Sequence, residues 1–158
     1  MRNVRIVIAV VWMGLLVAHC ASAQILPGIA EITGYGGITI NGIEENTLGV
    51  ALTVNTTPHL GVEGELGVIF AKEKIININA DLVFNFGSGA SLFVPYVAGG
   101  AGVLNNGGTD IALNAGAGMK VFVEPNIALR IDFRGFFTSE DGDMRDMERF
   151  YGGIDFFF

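Results

Sequence analysis

The residues with chemical potential in this chain are spaced by two. Glu63 and Glu65 are separated by one glycine, Asp81 stands between Ala80 and Leu82, and Lys120 sits between Met119 and Val121. Arg130, Asp132 and Arg134 alternate with Leu129, Ile131 and Phe133. Acids and bases in this pattern are suited to ion pairing. Acyl-transfer catalysis needs a base beside a nucleophile, most often His with Ser. After residue 23 the chain has one histidine, His59, next to Pro58 with no serine nearby, which reads as a solvated turn residue. The stretch Ser139 to Glu148, SEDGDMRDME, carries Glu140, Asp141, Asp143, Asp146 and Glu148. Such density can take a divalent cation through oxygen ligands, but the twelve-residue calcium-loop pattern is missing, so a solvated charge run is the plainer reading. No catalytic residue, metal ligand or cofactor site is expected.

The elements that carry these charges read as strands. In IALRIDFRGFF, Ile127, Leu129, Ile131 and Phe133 fall on one face, and Arg130, Asp132 and Arg134 on the other. Asp110 to Val123 opposes apolar residues to Asp110, Asn114 and Lys120, and Ile75 to Phe86 opposes them to Asn77, Asn79, Asp81 and Asn85. Eight such segments are expected, near 30–41, 46–55, 60–70, 75–86, 91–104, 109–123, 127–138 and 148–158, with turn residues between them. The apolar register holds no Asp, Glu, Lys or Arg. The opposite register holds Glu31, Glu63, Glu65, Asp81, Asp110, Lys120, Arg130, Asp132, Arg134, Arg149 and Asp155.

The chain has 158 residues, half of them apolar, 23 glycines and a net charge of −7. That is one domain's worth, and the acidic balance offers no basic patch for nucleic acid. Residues 1–23 read as an export signal: Arg2 and Arg5, an apolar run from Ile6 to Ala18, and Ala21-Ser22-Ala23 as the cleavage site. The apolar run is shorter than a membrane-spanning helix requires. Cleavage there removes Cys20 and leaves residues 24–158, with 7 basic and 16 acidic side chains, as the domain.

Segment length decides which face is the packed one. Strands of soluble proteins mostly run 5 or 6 residues. About 11 residues at ~3.3 Å each, tilted near 45°, rise about 25 Å, the height of an outer-membrane apolar band. An even number of strands can close without edges, as hydrocarbon demands. The expected fold is therefore all-β: an eight-stranded antiparallel up-and-down transmembrane β-barrel. A secreted soluble barrel binding an apolar ligand is the rival, and it would put its charges outside.

The final residues, YGGIDFFF, supply a more specific sign. Tyr151, Gly153, Phe156 and Phe158 match, place by place, the terminal signal by which the assembly machinery recognises bacterial outer-membrane barrels. With the export signal and the alternating strands, the chain resembles the small eight-stranded outer-membrane barrels of the outer-membrane protein A and X type. Pro95 to Val103 and Ala115 to Phe136 are similar to that family's fifth to seventh strands. The resemblance implies location in the outer membrane, contact with its lipid and lipopolysaccharide, delivery by the assembly machinery, and a monomer. The peptidoglycan-binding domain of longer members is not expected, and neither are roles built on long outer loops.

An eight-stranded lumen is just wide enough for side chains to fill. Inward glycines, among them Gly49, Gly67, Gly116 and Gly118, leave room for Tyr35, Tyr96, Tyr151 and Phe122. Inward charges must pair, and Glu63, Glu65 and Asp81 are expected to meet Lys120, Arg130 and Arg134 near mid-height, with Asp132 among them. Such a network implies a structural plug and an interaction role. The alternative is a narrow ion or small-solute channel in which the pairs swap. The acidic run is expected to reach lipopolysaccharide phosphates through bridging cations.

Overall fold

The computed structural model describes residues 25–40, 44–87, 91–105, 107–140 and 143–158. The leader expected over 1–23 lies outside them. Eight strands follow one another: β1 (Ala30–Ile40), β2 (Glu44–Asn55), β3 (Leu60–Ile69), β4 (Ile75–Asn85), β5 (Phe93–Asn105), β6 (Thr109–Glu124), β7 (Ile127–Glu140) and β8 (Asp143–Phe157). Each pairs antiparallel with the next, and β8 returns to β1, so the sheet is a closed barrel. Closure matters because no strand edge is left unpaired along the wall. No helix among the described residues is long and apolar enough to cross a membrane. Any crossing made by the described residues is made by strands.

Strand β8 begins earlier than its apolar alternation suggests. Glu140 faces Asp143 across the β7–β8 pair, and Thr138 faces Arg145. Residues 139–147, read as a loop from their acidity, are thus mostly hairpin. Charged and polar residues occupy both registers of this stretch, so the period-two signal is lost there.

The two faces of the wall differ as the period-two pattern requires. Exposed large apolar side chains include Ile32, Leu48, Leu52, Leu66, Ile78, Leu82, Leu129, Ile131, Phe133 and Ile154. Among side chains described, the exposed charges of strands are Glu44 and Glu124 at strand ends and Glu148, which pairs with Ile40 at the end of β1. The inward register is buried. It contains Glu31, Glu63, Glu65, Asp81, Lys120, Arg130, Asp132, Arg134, Arg149 and Asp155, together with Tyr35, Tyr96, Tyr151 and Phe122. Asp110, near the rim, is only half-buried.

Inward glycines make space for the tyrosines. A Cβ on Gly49 would collide with the Tyr35 hydroxyl, and one on Gly118 with the Tyr96 hydroxyl. The lumen is therefore filled by long side chains reaching across to bare backbone.

Two apolar clusters bracket this interior. At the end near the chain termini, Ile25, Val94, Phe122, Ala128 and Phe157 pack together with Ile29 and Leu92. At the opposite end, Ile69, Ala112, Phe136 and Met147 pack with Ile75 and Leu104. Ile25 arrives by a tight reversal at Pro27-Gly28. Gly28 has φ +83°, and Ile29 N donates to Leu26 O at 3.3 Å, which is type II turn geometry. Gly28 N then donates to Asn55 O at 2.7 Å and Asn55 N to Ile29 O at 3.0 Å, pinning the segment beneath the barrel.

Candidate functional site

Between the apolar clusters lies a tiered network of buried ions. Its centre is Arg134, on β7. Nη1 meets Asp81 Oδ2 at 2.5 Å and Glu65 Oε2 at 3.5 Å, and Nη2 meets Asp132 Oδ2 at 3.1 Å and Glu63 Oε1 at 3.2 Å. Four carboxylates thus surround one guanidinium. Arg130, four residues earlier on the same inward face, donates from Nη1 to Glu63 Oε2 at 2.6 Å and from Nη2 to Oε1 at 3.3 Å. Its Nε donates to the Tyr96 hydroxyl at 2.7 Å, and that hydroxyl donates to Asp132 Oδ2 at 2.6 Å. The planar guanidinium suits this work because its five donors lie in a fixed fork.

Two pairs flank the centre. Arg149 holds Glu65 with two parallel bonds, Nη1 to Oε1 at 2.6 Å and Nη2 to Oε2 at 2.7 Å. Lys120 Nζ reaches Glu31 Oε1 at 2.8 Å and Oε2 at 2.6 Å. Grouping Lys120 with the mid-height arginines is therefore incorrect. Glu63 is already shared by Arg130 and Arg134, and Lys120 bonds Glu31 at the start of β1 instead. Glu63, Glu65, Asp81, Asp132, Arg130 and Arg134 do come together.

Neutral donors complete the carboxylate shells. Thr53 Oγ1 donates to Glu63, Asn77 and Asn79 to Glu65, Asn114 to Asp81, and Asn55 to Glu31, at 2.7–3.0 Å. Aromatic faces cover the cations. Tyr35 and Tyr151 stack with centroids 4.3 Å apart, and the Arg149 guanidinium carbon lies 5.1 and 5.0 Å from their rings. The Arg130 guanidinium carbon lies 4.7 Å from the Tyr96 ring. Arg149, Glu31, Asn77, Asn79 and Asn114 are residues that sequence reasoning put inside the barrel but did not join to the network. Their inward phase was visible, and their partners were not.

This arrangement is suited to holding, since every cation here is paired with at least one carboxylate. Its hydroxyls, those of Thr53 and Tyr96, donate to carboxylates that arginines already hold. His59, exposed in the β2–β3 turn, has Nδ1 3.1 Å from Asn85 O and its ring 6.1 Å from that of Phe84, so its described ring contacts are a carbonyl and a phenyl group. In the terminal strand Tyr151 and Gly153 point inward, while Phe156 and Phe158 are exposed on the outer wall.

No protein-family model matches the chain, and no curated protein matches it in sequence. Solved structures do match. The N-terminal β-barrel domain of OprF from Pseudomonas aeruginosa superposes with TM-score 0.72 at 18% identity, covering 84% of this chain and 98% of that one. The outer membrane protein OprG of Pseudomonas aeruginosa gives 0.59 at 11% identity, over 88% and 99% of the two chains. The fold is that of the small outer-membrane barrels. The outer membrane enzyme PagL also matches, with TM-score 0.54 at 15% identity over 80% of this chain and 98% of that one. The same wall can therefore carry different tasks, and the task must be read from the residues.

Proposed function

We propose that this protein is a small integral outer-membrane barrel with a structural or interaction role, whose lumen is a plug. One observation carries the reading: a paired ionic core lies between two apolar clusters, at opposite ends of a barrel whose outer wall is greasy. Burial of so many apolar side chains against water is impossible for the outer register of a lone barrel, and hydrocarbon removes the difficulty. The soluble rival requires the reverse, charges outside and an apolar cavity within.

Transit of an ion would require the central pairs to part and both apolar clusters to wet. Breaking a buried pair leaves an uncompensated charge at a cost of several kcal/mol. The channel alternative rests on Arg134, whose four carboxylate neighbours offer it partners to exchange. Planar-bilayer recording of the purified barrel separates the two. The plug predicts silence; discrete steps altered by Glu65→Gln or Arg134→Gln would establish the channel. Export by a cleaved leader, recognition of Tyr151, Gly153, Phe156 and Phe158 by the assembly machinery, and a monomeric state belong to the same proposal. Heat-modifiable migration of the outer-membrane fraction on a detergent gel tests the placement.

A further inference from the structure

The outer wall is not uniformly knobbed. Over β1 to β4 it is hollowed by two adjoining grooves of about 460 and 400 Å³. The first is lined on the outside by Gly34, Leu48, Leu66, Val68 and Phe70, the second by Ile32, Leu52, Gly64 and Ile78, and Val50 and Leu66 belong to both. The hollow exists because Gly34 and Gly64 face outward, where an added Cβ would meet nothing within 4 Å. Register aligns its floor into successive rows: Ile32, Leu52 and Gly64; then Gly34, Val50 and Leu66; then Gly36, Leu48 and Val68. Phe70 stands above the last row, its N–H bonded to Asn46 O at 2.8 Å. Four levels two residues apart make a trough of about 20 Å along the strands.

What stands at its upper end is charged. Lys74 Nζ lies 6.0 Å from the Phe70 ring centroid, and Lys72 and Lys74 are exposed in the β3–β4 turn. With Glu73 between them this turn is net positive. The other turns at that end are flanked by acids: Glu44 and Glu45, Asp110, and the run from Glu140 to Glu148. The basic turn therefore sits over the apolar trough, on a chain that is otherwise strongly acidic.

We propose that this trough binds one acyl chain of a phosphate-bearing lipid of the outer leaflet, with Lys72 and Lys74 meeting the phosphate. The inference rests on the outer-membrane reading above and names a lipid site within it. A second copy of the barrel could set one of its acidic turns against the lysines; a phosphate-bearing lipid supplies an anion and an apolar chain in one molecule, the pairing that the trough and its basic turn fit.

Native mass spectrometry of the detergent-purified, delipidated barrel, titrated with lipid A and separately with a zwitterionic phospholipid, tests it. Wild type should retain one lipid A at concentrations where the zwitterionic lipid is lost. G34L/G64L, which fills the trough, and K72Q/K74Q should each weaken lipid A at least tenfold. A115L, on the outward face of β6, should change nothing. Equal retention by all variants would overturn the site. So would displacement of lipid A by inorganic phosphate, or a two-copy species that G34L/G64L abolishes. If G34L/G64L does not migrate as a folded barrel, K72Q/K74Q, outside the strands, carries the test alone. Wild type that fails to fractionate with the outer membrane would overturn the underlying reading; loss of lipid discrimination in a barrel that does would overturn only this one.

Discussion

Arg149 and Glu65, 84 positions apart in the chain, meet through two parallel hydrogen bonds of 2.6 and 2.7 Å inside the closed barrel. Strands β8 and β3 are not neighbours in the sheet, so the fork spans the lumen and ties opposite parts of the wall together.

Removing Glu65 alone should therefore cost more than removing both partners. E65Q leaves Arg149 buried without its carboxylate and should destabilise the barrel by about 3–5 kcal/mol. R149Q leaves Glu65 to Arg134, Asn77 and Asn79 and should cost less. The double variant should lose clearly less than the sum. Urea unfolding in lipid vesicles, analysed as a double-mutant cycle, reads the coupling directly.

The apolar clusters predict a gate that needs two keys. F122A thins the layer near the termini and F136A the layer at the far end, both side chains being fully buried. Each single variant should stay silent in bilayer recording, since one dry layer remains. F122A/F136A/R134Q, which also loosens the ionic tier, should give measurable conductance. Current through F122A alone would show that the far cluster does not seal.

The outer wall can be tested by charge. Ile131 faces outward between inward Arg130 and Asp132 near the middle of β7. I131K should destabilise the membrane-inserted barrel by about 2–4 kcal/mol, the cost of a lysine at the midplane of the lipid face. A loss below about 0.5 kcal/mol would mean that this face meets water.

Phe158 separates folding from recognition. Its side chain is 72% exposed, whereas its backbone exchanges bonds with Ala30, 2.9 Å from its own N–H and 3.3 Å to its carbonyl. F158S should refold into detergent as wild type does, yet accumulate poorly in the outer membrane of cells. Equal assembly in cells would remove Phe158 from the terminal signal.

Much of this fold is written in the period-two pattern. Seven of the strands lie close to where alternation puts them, because a wall between hydrocarbon and a filled lumen obliges every residue to choose a side. The inward phase of Arg149 and Glu31 follows from the same rule. Their partners do not, since which carboxylate meets which guanidinium depends on closure and on the stagger between strands far apart in sequence. Lys120 illustrates the limit: its face was legible, its reach to Glu31 was not. The seat of Ile25 also escapes periodicity, although Pro27-Gly28 is a turn signal placed where a reversal is needed.

That reversal has a consequence for how completion is marked. The cluster that buries Ile25 includes Phe157, which belongs to the last of the eight strands in the barrel. Until β8 is zipped to β1, Ile25 has no berth and the Pro27-Gly28 reversal lies open to any protease in reach. Closing the barrel seats it, so protection of this turn reports that the ring of strands is complete.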